Sequence, residues 1–212
     1  MISKILKKCI KKIHGFTIHT NRVSTISTIL VKNIPSDVTS VLDIGCGDGL
    51  ISSKIQKLRE KITYTGIDIM ERPKCMINYQ SFDGENIPFD EKSFDAIQLI
   101  DVLHHVEDIN KVLQNALRYS SKYIIIKDHI YKNKFDFHTL KFMDWVGNVP
   151  HGVKVIYNFQ NEVNWSKMFQ NFTLQKKFYI KNINLYPWFA NWIFGRELHF
   201  IAILEIENHD IK

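Results

Sequence analysis

Acidic residues recur in this chain where apolar runs break into glycine. Asp43 lies in the run Val41-Leu42-Asp43-Ile44, just ahead of Gly45, Gly47 and Gly49 in "VLDIGCGDG"; Asp68 belongs to "ITYTGIDI"; Asp83-Gly84 ends "YQSFDG". Three glycines in five positions are costly in regular structure, so this backbone must turn sharply or approach a ligand closely. A strand, a glycine turn and then a helix is the setting in which a nucleotide-like ligand rests against a helix N-terminus. A second constellation could move protons. "DVLHHVED" carries Asp101, His104 and His105, and "KDH" carries Lys127, Asp128 and His129. Histidine titrates near neutral pH and suits removal of a hydroxyl proton. His129, with Asp128 beside it, is the first choice of general base; the even alternative is a residue that caps its strand or binds substrate. His151, framed by proline and glycine in "NVPHGV", is the second choice, and His138, Asp144, Asn148 and Asn158 lie in the same region.

The glycine spacing narrows the ligand. A dinucleotide fingerprint needs G-x-G-x-x-G, but the third glycine here comes one position early, which argues against a dehydrogenase. Asp43 would repel a pyrophosphate and suit a cationic amino group, such as the ammonium of S-adenosylmethionine. Asp68, nineteen residues after Gly49, is placed to accept from ribose hydroxyls, and Asp83 from an adenine amino group. Taken with "DGENIPF" and "LHH", residues 38–129 resemble the class I S-adenosylmethionine-dependent methyltransferases, in their small-molecule branch. The resemblance implies Asp43, Gly45 and Gly47 around the methionine part, Asp68 at the ribose, Asp83 and Gly84 at the adenine, and Ile69 and Asp101 in the same cofactor set. It further implies methyl transfer to a small acceptor, with oxygen favoured over nitrogen or carbon. Asp101, His104 and His105 would share one face of a helical turn and could hold a divalent metal with a later histidine. Metal-dependent RNA methyltransferases carry E-x-x-E-H there; both glutamates are replaced here, so no metal is expected. An RNA or protein methyltransferase, or a non-catalytic module retaining the cofactor fold, are the competing readings.

These residues need elements to position them. Periodicity predicts helices near 50–60, 108–119, 136–145 and 161–170, with strands at 62–69, 79–82, 94–100, 122–128, 173–180 and 199–207. Alternating strands and helices predict an α/β fold: a doubly wound, mostly parallel, seven-stranded sheet with an antiparallel C-terminal strand and helices on both faces. The aromatic-rich insertions 130–160 and 182–198 are expected to cover the strand ends and the acceptor pocket.

Length and composition fit one globular domain over residues 1–212, with 45% hydrophobic and 24% charged residues. The net charge of +6 is local: five lysines fall within the first twelve residues, and the rest of the chain has 23 basic against 22 acidic side chains. Nucleic acid is therefore not an expected partner. Residues 1–20 begin as a basic amphipathic helix that either packs on the domain, lidding the site, or meets an anionic membrane or acidic partner. No stretch is apolar enough to span a bilayer. Three scattered cysteines without a C-x-x-C pair suit a reduced, cytoplasmic setting.

Overall fold

A computed structural model describes residues 4–148 and 155–207, with side chains from Ile18 onward except those of Trp188 and Phe189. His151 lies outside the described residues. The main sheet has strands β1 (Ser40–Ile44), β2 (Thr63–Asp68), β3 (Asn78–Ser81), β4 (Phe94–Ile100), β5 (Ser120–Tyr131), β7 (Leu174–Lys181) and β8 (His199–Ile206) in the order β3-β2-β1-β4-β5-β8-β7. β1 to β5 pair in parallel, and β8 runs antiparallel between β5 and β7. A two-residue strand, β6 (Gln160–Asn161), adds to the end of β5. The seven-stranded, mostly parallel sheet expected from the sequence is present, with β6 as an unforeseen addition.

Continuous apolar runs arise because the sheet is covered on both faces. Successive strand residues point to opposite sides, so Ile97, Leu99, Ile124 and Ile126 enter one core and Ala96, Ile100 and Ile125 the other. The first core is closed by α3 (Ile109–Tyr119), through Leu113 and Ala116, and by α5 (Glu162–Asn171), through Trp165 and Phe169. The second is closed by α2 (Leu50–Leu58), through Ile51 and Ile55, and by α1 (Lys4–Asn33). Here the basic helix expected over 1–20 is corrected: α1 continues to Asn33. Val23, Ile26 and Leu30 recur at i, i+3 and i+7 and are buried, so the second half of this helix belongs to the core. The lysine-rich first half lies where side chains are not described.

A second correction concerns β5. The insertion expected from residue 130 begins later, because β5 runs on to Tyr131 before α4 (Lys134–Asn148) starts. β4 stops at Ile100, opposite Lys127, but β8 continues the ladder with Asp128 opposite Phe200 and His129 opposite His199. His129 is therefore inside a strand that outruns its neighbour on one side, and not at a strand end. α6 (Trp188–Phe194) lies within the 182–198 segment and was not foreseen.

Candidate functional site

The strand order reverses direction between β1 and β4, and the carboxyl ends at such a switch point form the ligand crevice of an open α/β sheet. A cavity of about 230 Å³ lies there, bounded by Asp43, the Gly45–Asp48 turn, Arg72 from the loop after β2, and Ile100 from β4, with His19 and Arg22 of α1 above. Gly45 bonds back to β2 through Ile67 O at 2.7 Å, and its φ of 72° is left-handed. A Cβ at Gly45 would stand 2.6 Å from Val102 Cγ2. Gly47, also left-handed at 59°, would meet nothing within 4 Å. The turn is thus closed on one side by protein and open on the other, as a cradle for a ligand must be.

Asp43 and Asp68 are both buried beneath this turn. Asp43 accepts from Ser52 Oγ at 2.6 Å, and Gln98 Nε2 donates to that same hydroxyl at 2.8 Å. Burial pushes Asp43 up to about 6, against the opposing pull of the Ser52 and Gln98 hydrogen bonds. A carboxylate held this reluctantly gains from a cation placed against it. Asp68 accepts from Gly47 N at 2.9 Å and Met70 N at 2.9 Å, and pairs with Arg72 at 3.0 Å. Ile69 follows it as an apolar residue 68% exposed, with Gly84 close enough that an added Cβ would lie 3.2 Å from Ile69 Cγ2. Asp83 is exposed, and its carboxylate caps its own turn through Glu85 N, Asn86 N and Asn86 Nδ2. Those bonds draw it down to about 2.

The second constellation gathers at the ends of β4 and β5. Asp101 sits at φ 55° just after β4, and its carboxylate pairs with Arg22 at 2.6 Å and with Lys127 Nζ. Burial works to raise Asp101, but these two cations prevail and hold it well below the usual range. Asp128 is fully buried; it accepts from Leu103 N at 3.0 Å and His129 N at 2.7 Å, and its Oδ1 lies 2.7 Å from His104 Nδ1. His104 is buried, which alone would lower it, yet Asp128 carries it up to about 9. His129 goes the other way: burial, then the positive His104 and Lys127, press it down to about 4. Its ring packs edge-on to His104 and Phe159 and beside His199. At neutral pH this leaves a charged His104 beside a neutral His129.

The fold thus collects Asp43, Gly45 and Gly47 around one crevice, with Asp68 bonded to Gly47 N behind the turn and Ile69 beside Gly84. Asp101, Asp128 and His129 gather beyond β4, while Asp83 and Gly84 lie at the tip of β3. Ser52, Gln98, Arg22, Arg72 and His199 were not singled out from sequence. A polar residue on a helix or strand carries no mark of what it will face.

The profile of a family described as a methyltransferase domain matches residues 16–176. The chain belongs to that family. Curated relatives include the ubiquinone biosynthesis O-methyltransferase of Coxiella burnetii, 31% identical over 43% of this chain and 44% of the relative. Another is the ubiquinone/menaquinone biosynthesis C-methyltransferase of Rickettsia bellii, 25% identical over 61% and 62%. The chain spans less than half the length of the first of these. Solved structures agree on the fold: an S-adenosylmethionine-dependent methyltransferase from Thermotoga maritima superposes with a TM-score of 0.67 at 16% identity, over 95% of this chain and 97% of that one. One from Aquifex aeolicus gives 0.59 at 17%, over 94% and 98%. Among the described residues, no helix is long and apolar enough to cross a membrane.

Proposed function

We propose that this protein is an S-adenosylmethionine-dependent methyltransferase that methylates an oxygen of a small-molecule acceptor. The observation that carries the reading is the buried Asp43 beneath an open glycine turn at the β1/β4 switch point. A carboxylate there suits an ammonium group and disfavours a phosphate. Asp43 would take the amino group, Gly45 and Gly47 the methionine part, and Asp68 the ribose hydroxyls once Arg72 moves aside. Ile69 would lie against the adenine, and Asp83 with Gly84 would border it. S-adenosylmethionine supplies a methyl group already activated by its sulfonium.

What remains for the chain is to align an acceptor and relieve it of a proton. His129, 11% exposed, accepts that proton in this reading; burial, His104 and Lys127 keep it neutral and make it a weaker base than the near-neutral histidine expected from sequence. Asp128 is a positioning residue, because its contacts run to His104 and to His129 and it has no exposed surface of its own. Asp101, expected among the cofactor residues, would act through Arg22, which lines the crevice. The named acceptor pathways of the curated relatives support a small organic acceptor.

The test pairs two measurements on His129→Gln. Turnover of a hydroxylated acceptor should fall about 100-fold or more, while calorimetric affinity for S-adenosylmethionine stays within about threefold. Full turnover would remove His129 as base. A product methylated on carbon would redirect the reading toward the chemistry named for the Rickettsia relative.

A further inference from the structure

The buried polar region beyond β4 holds two groups of metal-ligand-type side chains: Asp101, His104, Asp128 and His129 in one, and His104, His105 and Asp144 in the other. The first is already satisfied. Asp101 is neutralised by Lys127 and Arg22, and Asp128 accepts from two backbone amides besides facing His104. An ammonium group stands where a cation would go.

The second group is incomplete. The Asp144 side chain, on α4, is only 1% exposed, and its Oδ2 has no hydrogen-bond partner among the described residues. A buried carboxylate oxygen left without a donor is costly. Its Oδ1, which accepts from Asn148 Nδ2, lies 3.7 Å from His104 Nε2 and 3.5 Å from His105 Nε2. Both separations exceed a good N–H···O hydrogen bond. They are close to the roughly 3.4 Å between neighbouring ligands of a tetrahedral ion with bonds of about 2.0–2.1 Å. On the far side of the His104 ring, Asp128 holds Nδ1 at 2.7 Å and so aims Nε2 at Asp144. A carboxylate behind the ring is how metal-binding histidines are usually oriented.

We propose that His104 Nε2, which gives up its proton as the metal arrives, His105 Nε2 and the Asp144 carboxylate form a binding site for a borderline divalent cation of the zinc type. Two imidazoles and one carboxylate favour such an ion over magnesium or calcium, which prefer oxygen throughout. Three protein ligands leave a fourth position for a water or an acceptor oxygen. The sequence pattern weighed Asp101 as the acid of such a set and expected no metal; Asp101 is paired with Lys127 and Arg22, so in this proposal Asp144 of α4 takes its place. The site is independent of the methyl-transfer reading and stands or falls by metal binding alone.

The test uses the full chain stripped of metal. Cobalt(II) should bind at one equivalent, with ligand-field bands and no thiolate charge-transfer band. Zinc affinity, read by competition with a chromophoric chelator, should drop at least about tenfold in both Asp144→Asn and His105→Gln and persist in Asp101→Asn. Melting curves without metal check that each variant folds, and His105→Gln, at the partly exposed ligand, carries the test if Asp144→Asn does not. No stoichiometric binding overturns the site. So does a thiolate band, which would place the metal on cysteine, or an affinity that falls only in Asp101→Asn.

Discussion

Asp43 is the residue on which stability and function pull in opposite directions. Its carboxyl is buried against Ser52 and Gln98, with Asp68 of β2 adding repulsion and Arg22 of α1 a distant attraction. Its folded value of about 6 exceeds the ordinary 3.8, so the unliganded protein loses stability as pH rises through that window, by up to about 3 kcal/mol from this group. Asp43→Asn keeps the Ser52 contact and removes the buried charge. It should melt higher than the parent at pH 8 and alike at pH 4. Cofactor binding has the opposite sign, because only the ionised carboxylate attracts an ammonium. Calorimetric affinity for S-adenosylmethionine should weaken roughly tenfold from pH 7 to pH 5 and show no such slope in Asp43→Asn. The two neighbouring glycines separate turn geometry from ligand room. Gly47→Ala has open space and only a left-handed φ to strain, about 1 kcal/mol, so it should fold and bind cofactor poorly. Gly45→Ala also collides with Val102 and should lower the melting temperature as well.

The elements differ in how much of the molecule depends on them. Leu30 is fully buried at the end of α1, so Leu30→Ala should cost about 2–5 kcal/mol in denaturant unfolding. Among the described side chains the buried positions of α1 begin at Val23, and deleting residues 1–14 removes none of these, so the melting temperature should stay within about 3 °C. If the lysine-rich half meets an anionic surface, the same deletion should abolish sedimentation with anionic vesicles; unchanged sedimentation would leave the packing role. β5 owes its extra length to β8, whose ladder carries Asp128 and His129 past the end of β4. The run "KYIIIKDHIY" shows a strand, but not where its neighbours stop. His129 was therefore legible as a candidate and illegible as an interior strand residue. Helices at 109–119 and 162–171 were legible from their periodicity, and the structure adds a polar cap to each: Asp108 accepts from Asn110 N and Lys111 N, and Asn161 from Asn164 N.

At the scale of the whole molecule, the crevice is where the two halves of the sheet and α1 meet, so a bound cofactor should tie them together. Saturating S-adenosylhomocysteine at about 100 times its dissociation constant should stabilise the chain by roughly 2.7 kcal/mol, with slowed amide exchange at Gly45–Gly49 and around Arg22. Absence of protection at Arg22 would detach α1 from the site. The acids, the glycine turn and the alternation of strand and helix were readable from residue order, because each is a local pattern of backbone need or side-chain period. So was the cofactor class, through the family resemblance that the acids and the glycine turn carry. Which carboxylates face which cations was not. Arg22 reaches Asp101 across 79 positions, His199 comes to His129 across the β5–β8 ladder, and Asp144 turns beneath His104 from a separate helix. Such contacts depend on strand order and burial, and burial in turn decides which of these groups carry charge.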